Sequence, residues 1–173
     1  LEGTTAQFSI FGQDTLYRIA TDDPGALFRI AQEQYRDWPQ PLLIQVLTVC
    51  RHLAASVTTE DLSWLVNVLE HDSPVVRSAA AGALGNVGWR RDVRSGPFLD
   101  RLVRDDSPAV RAATYRMLAR WGDREALARL SDALASEPDD RARLVGTTAL
   151  ATRTDVAPFG DAASPELAAT WAW

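Results

Sequence analysis

Asp72-Ser73-Pro74-Val75-Val76-Arg77-Ser78-Ala79-Ala80 returns as Asp106-Ser107-Pro108-Ala109-Val110-Arg111-Ala112-Ala113, and Asp106 stands 34 residues after Asp72. Aspartate, serine, proline, valine, arginine and alanine recur in register, and each copy carries its own helix-start chemistry. An Asp-Ser pair offers side-chain oxygens to the first backbone N–H groups of a helix, which have no partner within it. Proline loses nothing at the first helical position, because the N–H it lacks would be unpaired there. Asp72, Ser73, Pro74, Asp106, Ser107 and Pro108 are therefore expected as structural caps. One supersecondary unit recurring at a fixed period is the signature of a stacked repeat protein.

Apolar residues keep the same register. Leu65 aligns with Leu99, Leu69 with Val103 and Leu84 with Leu118, each pair 34 apart. Ahead of the first copy, Thr58-Thr59-Glu60-Asp61 reads as a cap with acids in the first turn, where the helix dipole favours them. Leu62, Leu65, Val66 and Leu69 then form the stripe of an outer helix. Behind the turn, Val76, Ala79, Ala80, Ala83 and Leu84 mark the buried side of a second helix, which Gly85 and Gly88 are expected to end. The next unit runs through Phe98, Leu99, Leu102 and Val103, then the turn, then Val110, Ala113, Met117 and Leu118, ending near Gly122. A weaker third copy starts at Asp123 with Leu127, Leu130 and Leu134. Its turn, Glu137-Pro138-Asp139-Asp140, lacks the Ser-Pro pair and is expected to be less secure, and its second helix carries Arg143, Leu144, Thr148 and Leu150. One helical hairpin cannot bury its apolar faces alone, so about three stacked units are needed.

Upstream, Asp14 is expected to cap a brief amphipathic segment. Asp23-Pro24 starts a longer helix in which Leu27, Ile30, Ala31 and Tyr35 share one stripe. Trp38-Pro39-Gln40-Pro41 breaks it, since proline disfavours helical geometry in the residue before it. The run from Leu42 to about Ala55 is apolar nearly all round and is expected to be a central, buried helix. The predicted organisation is an arm over 1–13, a repeat domain over 14–152, and a linker with a tryptophan-rich tail over 153–173. Within the repeat domain, 14–57 is a divergent capping unit and 58–91, 92–122 and 123–152 are repeats. Leu1-Glu2-Gly3 opens without methionine and is expected to be a junction outside the fold.

The pattern Asp-Ser-Pro-x-Val-Arg-x-Ala at this period resembles HEAT repeats of the short type named after phycobilisome lyases. The resemblance covers 58–152 well and 14–57 loosely. It implies an all-α, short right-handed α-solenoid of stacked antiparallel helix pairs. It also implies that Arg77 and Arg111 form a stacked polar ladder beside the turns, with Arg143 in the third copy. Families with such repeats include scaffolds, regulatory subunits, bilin lyase subunits and alkylpurine DNA glycosylases, so the motif specifies fold far better than function.

Composition narrows the function classes. A 46% hydrophobic and 24% charged chain of 173 residues is ordinary for a folded domain. No apolar run is long enough to span a membrane. All 18 basic residues are arginine, as in proteins of GC-rich bacterial genomes, and the net charge of −5 argues against a broad nucleic-acid footprint. Cys50 is the only cysteine, which excludes an intrachain disulfide and points to a reducing, cytoplasmic compartment.

No catalytic constellation, metal set or cofactor motif emerges. His52 and His71 stand on separate helices without the converging ligands that a zinc or nucleophile–base site needs. Cys50 lies in the most apolar helix, where a thiol behaves as a small hydrophobe. Arg90, Arg91 and Arg94, with Arg77 and Arg111, could give a basic edge for a phosphate or an acidic peptide. Asp92, Asp100, Asp105 and Asp106 interleave with them, as on a solvated face. Trp38, Trp64, Trp89 and Trp121 read as core filler or the lip of a groove. Thr170, Trp171 and Trp173 differ: two indoles in three residues after a flexible break suit a recognition anchor as well as a folded-back cap.

Three functions follow as expectations. The first is a non-catalytic scaffold that binds another protein on its concave face and offers its Thr-Trp-Ala-Trp tail to that partner. In layout only, the chain also resembles precursors of ribosomally made, modified peptides. In that case the repeats are a folded leader, and a tailoring enzyme such as a haem monooxygenase cross-links Trp171 and Trp173. The third is a DNA glycosylase or bilin lyase of the HEAT-like type, which calls for a basic concave groove holding a carboxylate and aromatic residues.

Overall fold

A computed structural model describes residue 18 and residues 22–51, 63–86 and 97–152. The expected arm, the Asp14 segment, the Thr58–Asp61 cap, Leu53, Leu62, Gly88 and the tail lie outside these residues. The described residues form eight α-helices and a short 3₁₀ turn, with no strand among them. The helices are α1 (Pro24–Gln34), α2 (Gln40–Cys50), α3 (Ser63–Val68) and α4 (Pro74–Asn86), then α5 (Pro97–Leu102), α6 (Pro108–Trp121), α7 (Arg124–Ala135) and α8 (Asp140–Ala151).

Packing sorts them into two layers. The inner helices α2, α4, α6 and α8 stack one on the next, with α4 on α6 the largest contact. The outer helices α3, α5 and α7 each pack on the inner helix that follows, and α1 rests on α3. The predicted α-solenoid of helix pairs is thereby observed.

Local chemistry explains the boundaries. Asp23, Asp123 and Asp139 each cap a helix, accepting the N–H of Ala26, Ala126 and Ala142 at 3.0, 2.9 and 2.8 Å. Pro108 opens α6 and Gly122 closes it in the left-handed region, at φ 62°. The apolar run at Leu42 becomes α2, whose Leu43, Val46, Leu47, Val49 and Cys50 are buried, as its all-round apolarity requires.

Four expectations need correction. Gly85 does not end a helix: it is buried inside α4, and a Cβ there would lie 3.0 Å from the Cα of Met117. It lets α4 and α6 approach closely. Ile30 is not part of the first buried stripe but is 42% exposed, and Phe28 takes the core position instead. The α6 cap is not made by its Asp-Ser pair. Ser107 stands at the N-cap position without a side-chain capping bond; the carboxylate of Asp105, one residue before the motif, accepts the Ser107 N–H at 2.9 Å. The third turn is not loose either, because Glu137 is buried in it.

The core is continuous along the stack. At its N-terminal end Phe28, Tyr35 and Trp64 form an aromatic cluster, with Trp64 edge-on to Phe28 at 6.3 Å and tilted over Tyr35 at 5.9 Å. Further along, the indole N–H of Trp121 reaches across to the Leu84 carbonyl at 3.3 Å. Trp64 is therefore filler, Trp121 a clamp between repeats, and Trp38 a half-buried neighbour of the core.

Candidate functional site

Two arrangements recur along the stack, an internal ladder and an open groove. The ladder begins with Arg77, whose guanidinium donates to the carbonyls of His71 and Asp72 in its own turn, at 2.9 and 2.8 Å. Its other two nitrogens meet both carboxylate oxygens of Asp105 in the next turn, each at 2.8 Å. Arg111 repeats this geometry. It donates to the carbonyls of Asp105 and Asp106 at 2.7 and 3.3 Å, and to both oxygens of Glu137 at 2.9 and 2.7 Å. Arg143 donates to the carbonyl of Glu137 at 2.7 Å and pairs with Asp140 of its own helix.

Each arginine thus closes its own turn, and Arg77 and Arg111 also grip the acid of the next. Bidentate guanidinium–carboxylate pairs are among the strongest side-chain hydrogen bonds. The same guanidinium groups also satisfy carbonyls of their own turns. The same turn position serves backbone as well: His71 Nδ1, Asp105 and Glu137 accept the N–H two residues on, from Ser73, Ser107 and Asp139 at 3.0, 2.9 and 2.9 Å.

Electrostatics follow from this geometry. The Arg111 guanidinium foremost, then the Tyr115 hydroxyl and the Asp139 N–H, outweigh the burial of Glu137 and hold its carboxyl down to about 2. Burial, helped by the adjacent Glu137 carboxylate, pushes the Tyr115 phenol above its ordinary range, so it remains a donor to Glu137. Burial works against ionisation of Asp105, yet the bonds from Arg77 and Ser107 prevail and its carboxyl sits below the usual value. Arg77 and Arg111 are consequently structural and do not form an open basic edge. Arg90, Arg91 and Arg94, the rest of that expected edge, lie outside the described residues.

The second arrangement is a groove of about 760 Å³ across the inner layer. Leu47, Thr48 and Arg51 border it on the α2 side, and Val75, Ser78, Ala79 and Gly82 come from α4. Ala113, Arg116, Met117 and Arg120 follow from α6, then Leu144, Val145 and Thr148 from α8. No carboxylate is among the described residues that line it. Val75 and Leu144 are 57% and 66% exposed, large apolar surfaces turned to solvent where Leu144 was expected only as one more helix residue. Their common face shows only once the helices are stacked.

Other candidates stand apart from both. Cys50 is buried, which pushes its thiol up to about 12, so it is no nucleophile at neutral pH. His71 is taken up by the Ser73 N–H. His52 and the tail residues Thr170, Trp171 and Trp173 are outside the described residues. Among the described residues no group of His, Cys, Asp or Glu could hold a metal ion, and no described helix is long and apolar enough to cross a membrane.

Stacked helix pairs with one continuous core and a repeating arginine–acid bridge define an α-solenoid scaffold. Residues 62–151 match the family model described as HEAT repeats, and the chain belongs to that family. HEAT repeats build helical scaffolds that commonly bind protein partners and are generally non-catalytic. Comparisons with curated proteins and with solved structures return no match.

Proposed function

We propose that this chain is a non-catalytic scaffold that binds a partner protein in the groove of its inner helices. The observation that carries the reading is the groove itself, about 760 Å³ with Val75 and Leu144 exposed along it. Hydrophobic grooves are a recurring receptor for the apolar face of a partner helix. A glycosylase of the HEAT-like type calls for a carboxylate and aromatic residues in the groove, and the described lining supplies neither.

Gly82 gives a direct test, because a Cβ built there meets no heavy atom within 4 Å. A Gly82→Phe chain should fold and fill the groove. Affinity capture from the native cytosol, compared between the two chains, should show a partner lost from Gly82→Phe but kept by Arg104→Glu, an exposed change away from the groove. A partner held equally by all three chains rejects the reading.

The tail enters as a finer part of the same proposal, in which Thr170-Trp171-Ala172-Trp173 is presented to the bound partner. What favours a role in recognition or modification is the pairing of two indoles with a single residue between them. If the partner is a tailoring oxidase, co-expression should yield a tail lacking one pair of hydrogens, with the loss mapped to Trp171 and Trp173 by tandem mass spectrometry. An intact tail after co-expression with the captured partner removes the precursor reading and leaves the scaffold.

A further inference from the structure

The groove inverts the charge of the molecule that carries it. The chain has 23 acids against 18 arginines, yet the groove holds Arg51, Arg116 and Arg120 and no described acid. Arg77, by contrast, is held by Asp105 and Arg111 by Glu137. Arg51 and Arg116 are exposed and make no ion pair with a described residue. Both line the groove, and no described carboxylate does.

Position adds a polarity. Val75 is the second residue of α4 and Leu144 the fifth of α8, whereas Arg51 follows the last residue of α2 and Arg116 and Arg120 occupy the second half of α6. Equivalent helices of stacked repeats run the same way, so the apolar anchors lie toward one end of the groove and the cations toward the other. Between them Gly82 leaves the floor open. A glycine inside a helix costs about 1 kcal/mol relative to alanine, and packing does not call for one here.

Guanidinium groups select carboxylates by paired hydrogen bonds, and exposed aliphatic side chains select apolar ones. We infer that the groove takes an acidic segment of the partner protein, with Asp or Glu side chains on Arg51 and Arg116 and an apolar side chain on Val75 and Leu144. This rests on the groove being the partner site, as proposed above. A nucleic acid fits less well, because a phosphate backbone wants cations along its whole track and Val75 and Leu144 interrupt that track here.

The test is selection of a random dodecapeptide phage library on the full chain, repeated on Gly82→Phe and on the double variant Arg51→Glu with Arg116→Glu. Circular dichroism and thermal melting first verify that both variants fold. Enriched peptides should be net acidic with an apolar residue beside the acids. A synthetic representative should lose affinity at least about tenfold on either variant, about 1.4 kcal/mol, and should weaken as salt screens the pairs. Enriched peptides that need Gly82 but are neutral or basic, and that ignore the charge reversal, overturn the acidic assignment while leaving the groove as the partner site. Peptides indifferent to Gly82→Phe, or no enrichment at all, reject the groove and with it both proposals. Tighter retention of a single-stranded oligonucleotide by the same arginines replaces the peptide by nucleic acid. Self-association abolished by Gly82→Phe replaces it by a second copy of the chain.

Discussion

Arg111 and Glu137 concentrate the energetics of single residues. Their side chains are 10% and 0% exposed, so removing one leaves the other charged in a dry site. Arg111→Ala should cost about 3–5 kcal/mol in urea denaturation, and Arg111→Met with Glu137→Leu should recover much of it, because a buried pair replaced by apolar groups is often nearly neutral. Acid should act on the same pair. A carboxyl held down to about 2 in the folded chain, against an ordinary 4.5, contributes its full stability above the ordinary value. That contribution, on the order of 3 kcal/mol, is lost as pH falls from about 4.5 toward 2. Melting temperatures measured across that window should fall, and Glu137→Gln should flatten the curve. The ladder was half legible in sequence. Arg77 and Arg111 stood out because they lie inside the repeated motif. Their partners did not, because Asp105 and Glu137 sit one position before the motif or in its eroded copy. The clue was the column itself, His71 and Asp105 being 34 apart and each able to accept the N–H two residues on.

Helix-interior glycines separate the elements by what each must touch. Gly146 in α8 would place a Cβ 2.5 Å from Leu134 Cδ2 and 2.9 Å from Tyr115 Cδ2. Gly146→Ala should destabilise by about 1–3 kcal/mol through overpacking, even though alanine is the better helix former. Gly82→Ala should do the reverse and raise stability by about 0.5–1 kcal/mol, since nothing lies within 4 Å. Thermal melts of the two variants side by side measure the contrast. Helix starts at Asp23, Asp123 and Asp139 were readable because capping is local chemistry. Gly85 was misread as a terminator because the approach of α6 at Met117 depends on a residue distant in sequence. The groove was invisible for the same reason, as its lining comes from four helices.

At the scale of the whole molecule, stability is shared between neighbours more than stored in units. Repeat proteins behave as chains of coupled elements, and here the coupling is the arginine–acid bridge together with the α4–α6 and α6–α8 contacts. Arg77→Met should therefore weaken the tie between the first two repeats specifically. Hydrogen exchange should show α3 and α4 opening apart from α6 to α8, where the native chain opens more nearly as one. Uniform loss of protection along the stack would show instead that the apolar contacts alone set cooperativity.

The bridges also have a direction. Arg77 reaches forward 28 residues and Arg111 forward 26, and neither reaches back to an earlier acid. Helix α2, the inner helix before α4, contains no arginine, and His71 stands at the first turn in the column that Asp105 and Glu137 fill at the next two. In synthesis order, the acids that Arg77 and Arg111 clasp are made 28 and 26 residues after them. Either bridge therefore requires only the single unit that leaves the ribosome next.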